Sequence, residues 1–145
     1  MFLRVMLRRF SAQGWVVGKT VPGERGQQRQ QYALTPAGRS ALIARLSEFS
    51  DEAAYSSGAF RLRVSLFPLL APEAVTHILG ARENVLREQD ERLKSIEASV
   101  HLSVYPAQVV GFMRTQIAEE LVWLRQLRTL KPKPETEPST ARSKP

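Results

Sequence analysis

Apolar residues recur at helical spacing from the start of the chain. Leu3, Met6, Leu7 and Phe10 share one face of a segment over residues 2–13, while Arg4, Arg8 and Ser11 share another. Gly14 then predicts a left-handed stop to that helix. Trp15-Val16-Val17 is aromatic and β-branched, a strand nucleus. The stretch Val21-Pro22-Gly23-Glu24-Arg25-Gly26 marks a turn. Arg29-Gln30-Gln31-Tyr32-Ala33-Leu34 alternates as a returning strand, with Tyr32 and Leu34 on one face and Gln31 and Ala33 on the other. These segments predict a β-hairpin with a polar, basic tip. Thr35 reads as a helix cap and Pro36 as a first helical position, where its missing N–H would be unpaired anyway. Leu42, Ile43, Leu46 and Phe49 continue that helix as an apolar stripe.

The second half changes character. Ser56-Ser57-Gly58 reads as a boundary, and Phe60 to Leu70 as a short apolar helix before a bend bracketed by Pro68 and Pro72. From Pro72-Glu73 a long helix carries Val75, Leu79, Leu86, Leu93, Ile96 and Val100 on heptad positions, with Arg82 and Gln89 as polar exceptions. Pro106 opens a last helix whose stripe is Val110, Met113, Ile117, Leu121, Leu124 and Leu127. The short Leu102–Pro106 connection predicts an antiparallel pair. These stripes extend along helices too long for one small partner to cover, which predicts a homodimer interface drawn from Leu79, Leu86, Leu93, Ile117, Leu121, Trp123 and Leu124. A purely intrachain bundle is the alternative. From Lys131 the chain is Pro, Lys, Glu, Ser and Thr with almost no apolar residues, which predicts disorder.

The fold class expected is mainly α with a small β-hairpin. It divides into a basic module over residues 1–55, a helical pairing module over residues 59–130 and a tail over residues 131–145. Charge sharpens the division. The net charge is +7, and residues 1–50 hold eight Lys/Arg against two acids, while residues 51–130 hold nine against ten. A local basic excess is the electrostatic footprint of a polyanion partner. The absence of cysteine excludes disulfides, thiolate metal sites and a cysteine nucleophile. His77 and His101 lack ligand spacing, and the adjacent Glu119 and Glu120 face different sides of a helix, so neither a metal site nor a carboxylate pair is expected. No phosphate-cradling glycine loop and no nucleophile–base set is present, and no cofactor is expected. No apolar run approaches the length of a membrane span, and Arg8 and Arg9 interrupt the apolar start without a cleavage site after it, so a cytoplasmic protein is expected.

Two stretches carry a family resemblance. Leu7-Arg8-Arg9-Phe10-Ser11-Ala12-Gln13-Gly14-Trp15-Val16, followed by Gln31-Tyr32-Ala33-Leu34-Thr35-Pro36-Ala37-Gly38-Arg39, resembles the winged-helix segment of the PadR-like transcriptional regulators. The Leu-Thr-x-x-Gly piece also occurs in MarR-like regulators. Leu66-Phe67-Pro68-Leu69-Leu70-Ala71-Pro72-Glu73 and the later Glu120-Leu121-Val122-Trp123-Leu124 are similar to the PadR-like dimerisation region. The resemblance spans roughly residues 2–130. It implies a partial winged helix-turn-helix with the first helix as recognition helix, followed by a helical dimerisation region. It also implies a dimeric repressor, and in some members a dimer cleft that holds a small aromatic effector, to which Trp123 would contribute. Two features depart from the family. The helices that precede the recognition helix have no counterpart here, which points to a truncated or misassigned start or to the loss of half the helix-turn-helix. Arg4 stands where many members carry a tyrosine that approaches DNA.

The reading is therefore a regulator that binds operator DNA as a dimer. Its expected DNA contacts are Arg4, Arg8 and Arg9 on the first helix and Lys19, Arg25 and Arg29 on the hairpin. Arginine forks two hydrogen bonds to a guanine edge or a phosphate, and lysine supplies a point charge. The other reading is a dimerising interaction module that has lost autonomous DNA binding. A small enzyme has no residue-level support.

Overall fold

The computed structural model describes residues 2–23 and 26–130. That part is mainly helical, with one two-stranded antiparallel sheet, as the periodicity predicts. The order is α1 (Phe2–Ala12), β1 (Val16–Pro22), β2 (Gln28–Leu34), α2 (Pro36–Ser47), α3 (Asp51–Tyr55), α4 (Ser57–Ser65), a 3-10 turn (Phe67–Leu69), α5 (Pro72–Ser99) and α6 (Val104–Thr129). Two compact units divide inside α5, between Ile78 and Leu79. The tail expected to be disordered, residues 131–145, lies outside the described residues.

In the first unit the apolar stripe of α2 does not run on as one helix to Phe49. Glu48 turns extended, its N–H still bonded to the Ala44 carbonyl, and α2 ends at Ser47. Phe49 is nonetheless buried, tilted against Phe60 with ring centroids 6.4 Å apart. Ser50 then caps the short α3 by accepting from the Ala53 N–H, and Ser56 caps α4 by accepting from Ala59. The Ser56-Ser57-Gly58 stretch therefore carries the turn from α3 into α4. Arg63 of α4 reaches the loose carbonyls at the end of α2 and one carbonyl of its own helix. Its guanidinium donates to Leu46 at 3.1 Å, Glu48 at 3.0 Å and Ala59 at 3.2 Å, and stacks 4.9 Å from the centre of Phe49. Charge-assisted bonds of this kind satisfy the orphan acceptors that every helix end leaves.

In the second unit the connection between α5 and α6 is tighter than expected. Helix α6 begins at Val104, so Pro106 falls in its first turn, where a missing N–H leaves no bond unmade. The pairs Arg82–Glu120 and Asp90–Arg114 fix the two helices as antiparallel. Leu79, Leu86 and Leu93 on α5, and Val110, Ile117 and Leu124 on α6, repeat every seven residues and are buried. Burying each such side chain contributes roughly 1.5–3 kcal/mol. Arg82 shares this seam at 2% exposure and meets both carboxylate oxygens of Glu120, at 2.7 and 2.9 Å.

The rim of the seam is ionic. Hydrogen bonds from Arg87 and Arg128 hold the Glu83 carboxyl below its ordinary range. Lys94 and Arg114 do the same for Asp90. Both acids thus release their protons more readily in the folded chain than in the unfolded one. Their pairing stabilises the fold above the ordinary carboxylate range and loses that contribution as pH falls through the lowered folded values. Thermal melting is expected to move to lower temperature as pH drops below about 4. Asp90→Asn is expected to flatten that dependence, and a melting curve indifferent to acid would contradict the assignment.

Candidate nucleic-acid interface

Helix α1, the hairpin and the start of α2 are joined at one knot. Gly14 takes a φ of 70°. The Trp15 N–H bonds back to the Phe10 carbonyl at 2.9 Å and the Gly14 N–H to Ser11 at 3.0 Å, the paired closure of a glycine-terminated helix. Trp15 is therefore consumed in ending α1, and β1 starts one residue later than its aromatic character predicts. Thr35 ties the other side. Its N–H donates to the Trp15 carbonyl at 3.0 Å, its hydroxyl donates to the Gly14 carbonyl at 2.5 Å, and the same oxygen accepts from the Gly38 N–H at 3.0 Å. Gly38 sits so close that a Cβ there would lie 1.9 Å from the Trp15 carbonyl oxygen. The Leu34-Thr35-Pro36-Ala37-Gly38 motif thus has a mechanical meaning. It caps α2 and presses that helix against the end of α1, which fixes where the hairpin leaves the body.

The strands pair from Val16↔Leu34 to Pro22↔Gln28. Side chains alternate across a sheet, and paired residues share a face. Tyr32 and Leu34 therefore lie with Gly18 and Thr20 on one face, and Lys19, Arg29 and Gln31 lie on the other. Tyr32 lies across its partner Gly18, close enough that a Cβ on Gly18 would sit 3.1 Å from the ring, and Gln30 donates to Thr20 at 2.7 Å. These are packing and ladder roles rather than contacts offered outward. Every residue of β2 is exposed.

Arg4, Arg8 and Arg9 are exposed on α1, and Lys19 and Arg29 are exposed on the hairpin. Arg4 and Arg8 stand one helical turn apart on the same face. None of these five cations forms an ion pair with a described acid. By contrast, the ion pairs of Arg82, Arg87, Arg92, Lys94, Arg114 and Arg128 all lie on α5 and α6. Arg25 lies outside the described residues. Arg39 is also exposed, one residue past the Gly38 contact, and the sequence reading gave it no role. Arg45 reaches over the Trp15 ring at 5.5 Å, and Phe10 flanks that ring at 5.7 Å, so Trp15 is a packing residue of the knot. Guanidinium and ammonium groups without a described acidic partner, on a fixed helix–hairpin frame, are suited to phosphate oxygens and groove edges.

The residues expected to pair two copies lie elsewhere, in the second unit. Leu79, Leu86, Leu93, Ile117 and Leu124 are buried within the single chain, while Leu121 and Trp123 are half-buried. His77 and His101 are exposed. Among the described residues, no helix is long and apolar enough to cross a membrane.

No protein-family model matches the chain, and no curated protein sequence matches it. Among solved structures it is similar to Bacillus subtilis PadR in complex with operator DNA. The identity is 15%, the TM-score is 0.42, and the match covers 83% of this chain and 72% of that one. At those values the likeness is one of broad outline.

Proposed function

We propose that this chain is a cytoplasmic DNA-binding transcriptional regulator, a repressor, that works as a dimer. Helix α1 lies in the major groove, where Arg4 and Arg8 meet base edges or phosphates, and Arg9 grips the backbone. Lys19 and Arg29, together with Arg25, hold the adjacent phosphates. The first unit contacts DNA and the second pairs protomers, so the operator is a pseudo-palindrome. The observation that carries this reading is the set of five exposed cations, none paired with a described acid, on a helix and hairpin locked together by Thr35 and Gly38. The sequence resemblance to PadR-like regulators points the same way.

Fluorescence anisotropy with duplex DNA from the chain's own promoter region tests it. Affinity is expected to fall steeply between low and moderate salt, with a log–log slope of about −0.9 for each phosphate neutralised. Arg29→Ala is expected to reduce that slope by about one, uniformly across sequences. Binding that ignores salt, or that survives removal of all five cations, sinks the reading.

A second reading has its own observation. Leu3 on α1 is 69% exposed, and Met6 beside it is also exposed. An apolar edge of this kind suits a protein partner, as in an interaction module that no longer grips DNA alone. Self-association without salt-dependent DNA binding would favour it.

A further inference from the structure

Helix α1 offers two kinds of exposed side chain that duplex DNA does not satisfy together. Leu3 is 69% exposed and Met6 38%, and helical spacing puts them on one face with the half-buried Leu7 and Phe10. Arg9 follows Met6 by three residues and borders that face on one side. Arg4 lies about 100° round the helix from Leu3 and borders it on the other, with Arg8 one turn further along. All three arginines are exposed, and the helix holds no acid. We infer that α1 docks on an anionic lipid surface. It lies in the plane of the headgroups, with Leu3 and Met6 sunk below them and Arg4, Arg8 and Arg9 at the lipid phosphates.

The occupant has to match both features at once. DNA phosphates take the arginines but leave Leu3 and Met6 in water. A second copy laid on the same face would cover the apolar pair but crowd the arginines of both copies together, and like charges repel with no acid on either helix to separate them. An anionic leaflet takes both. Arginine stems run along apolar surface while their heads stay at the phosphates. A helix with Leu, Met and Phe on one side and arginine on the other is the form that lies in a membrane interface. At 11 residues α1 is far too short to cross a bilayer, so it lies on the surface.

Lipid and DNA then claim the same three arginines. A chain held on the membrane is withheld from DNA, and the anionic lipid content sets the free fraction. This consequence rests on the proposed function. The lipid contact itself does not, because it needs only the side chains of α1.

Co-sedimentation of the full chain with vesicles tests the contact. Binding is expected to vesicles of equal parts phosphatidylglycerol and phosphatidylcholine, and not to phosphatidylcholine alone. Leu3→Ser with Met6→Ser is expected to weaken it by about tenfold or more. The urea midpoint should hardly move, since neither side chain belongs to the core. Arg4→Gln and Arg9→Gln are each expected to weaken binding about fivefold at low salt. The chain has no cysteine, so Leu3→Cys carries a single environment-sensitive dye. Its emission is expected to shift to the blue on the mixed vesicles, while the same dye on Thr115→Cys, exposed on α6, stays unmoved. Equal binding to both kinds of vesicle overturns the inference. So does full binding by the Leu3 and Met6 double variant, or a dye at position 3 that never leaves water. A chain that ignores the vesicles yet binds polyglutamate overturns it in favour of an acidic protein partner. No DNA enters these measurements, so their failure leaves the regulator reading intact, and failure of DNA binding leaves the lipid contact standing.

Discussion

Gly38→Ala is expected to destabilise the chain by about 3 kcal/mol or more, through close contact and lost bonds at one point. The added methyl would lie 1.9, 2.7 and 2.9 Å from the carbonyl oxygen, carbonyl carbon and Cα of Trp15. All three are backbone atoms, so no side chain can rotate away. Helix α2 must retreat, and its first turn carries the Gly38 N–H to the Thr35 hydroxyl, which in turn holds the Gly14 carbonyl. Helix propensity alone favours alanine by about 1 kcal/mol and would give the opposite sign. Gly111→Ala supplies the control, because nothing lies within 4 Å of the Cβ it would add, so a small gain is expected. Denaturant midpoints separate the cases. An unchanged midpoint for Gly38→Ala would show that the knot relaxes without cost. The same variant is expected to weaken DNA binding, because the hairpin then leaves the body at a different angle.

The second large effect is expected at the seam of α5 and α6. Glu120→Ala strips the guanidinium of Arg82, which is 2% exposed in the native chain, of a two-oxygen acceptor. Losing one partner of a buried ion pair costs about 3–5 kcal/mol. The lower end applies here, because the Glu120 side chain is itself 20% exposed. Replacing both residues, Arg82→Met with Glu120→Leu, is expected to return stability to within about 1 kcal/mol of the native chain or above it, since two desolvation penalties vanish with the attraction. Urea unfolding of Arg82→Met, of Glu120→Leu and of the double variant measures the coupling. Equal destabilisation by the single and double changes would mean that packing, not charge, dominates the position.

The sequence made some elements plain because their signals are local. The repeat of Leu79, Leu86 and Leu93 needs only periodicity, and Thr35-Pro36 announces a helix start by its own chemistry. The hairpin faces followed from alternation, and the register agrees with them. What stayed hidden depends on distant atoms. Arg63 clamps carbonyls 15 and 17 residues upstream, a role without any local mark. The break after Ser47 has no proline or glycine to announce it, because Phe49 reaches the core from an extended segment. The candidate interface divides in the same way. Its cations were legible as residue types and as a regional excess of charge. That none of them pairs with a described acid was not, since ion pairing needs coordinates. Arg82 was legible only as an exception to the heptad, and its partner 38 positions away needed coordinates.

The exposure of β2 along its whole length bears on how such a protein diversifies. A strand that buries nothing is under no packing constraint from a core. Arg29 and Gln31, and the exposed Lys19 opposite them on β1, can be exchanged for other polar residues at little risk to folding, while Thr35 and Gly38 cannot. On the proposed function, phosphate grip and stability are thereby assigned to different positions, and descendants of this chain could adjust how tightly they hold a polyanion through hairpin substitutions that selection for a folded protein does not oppose.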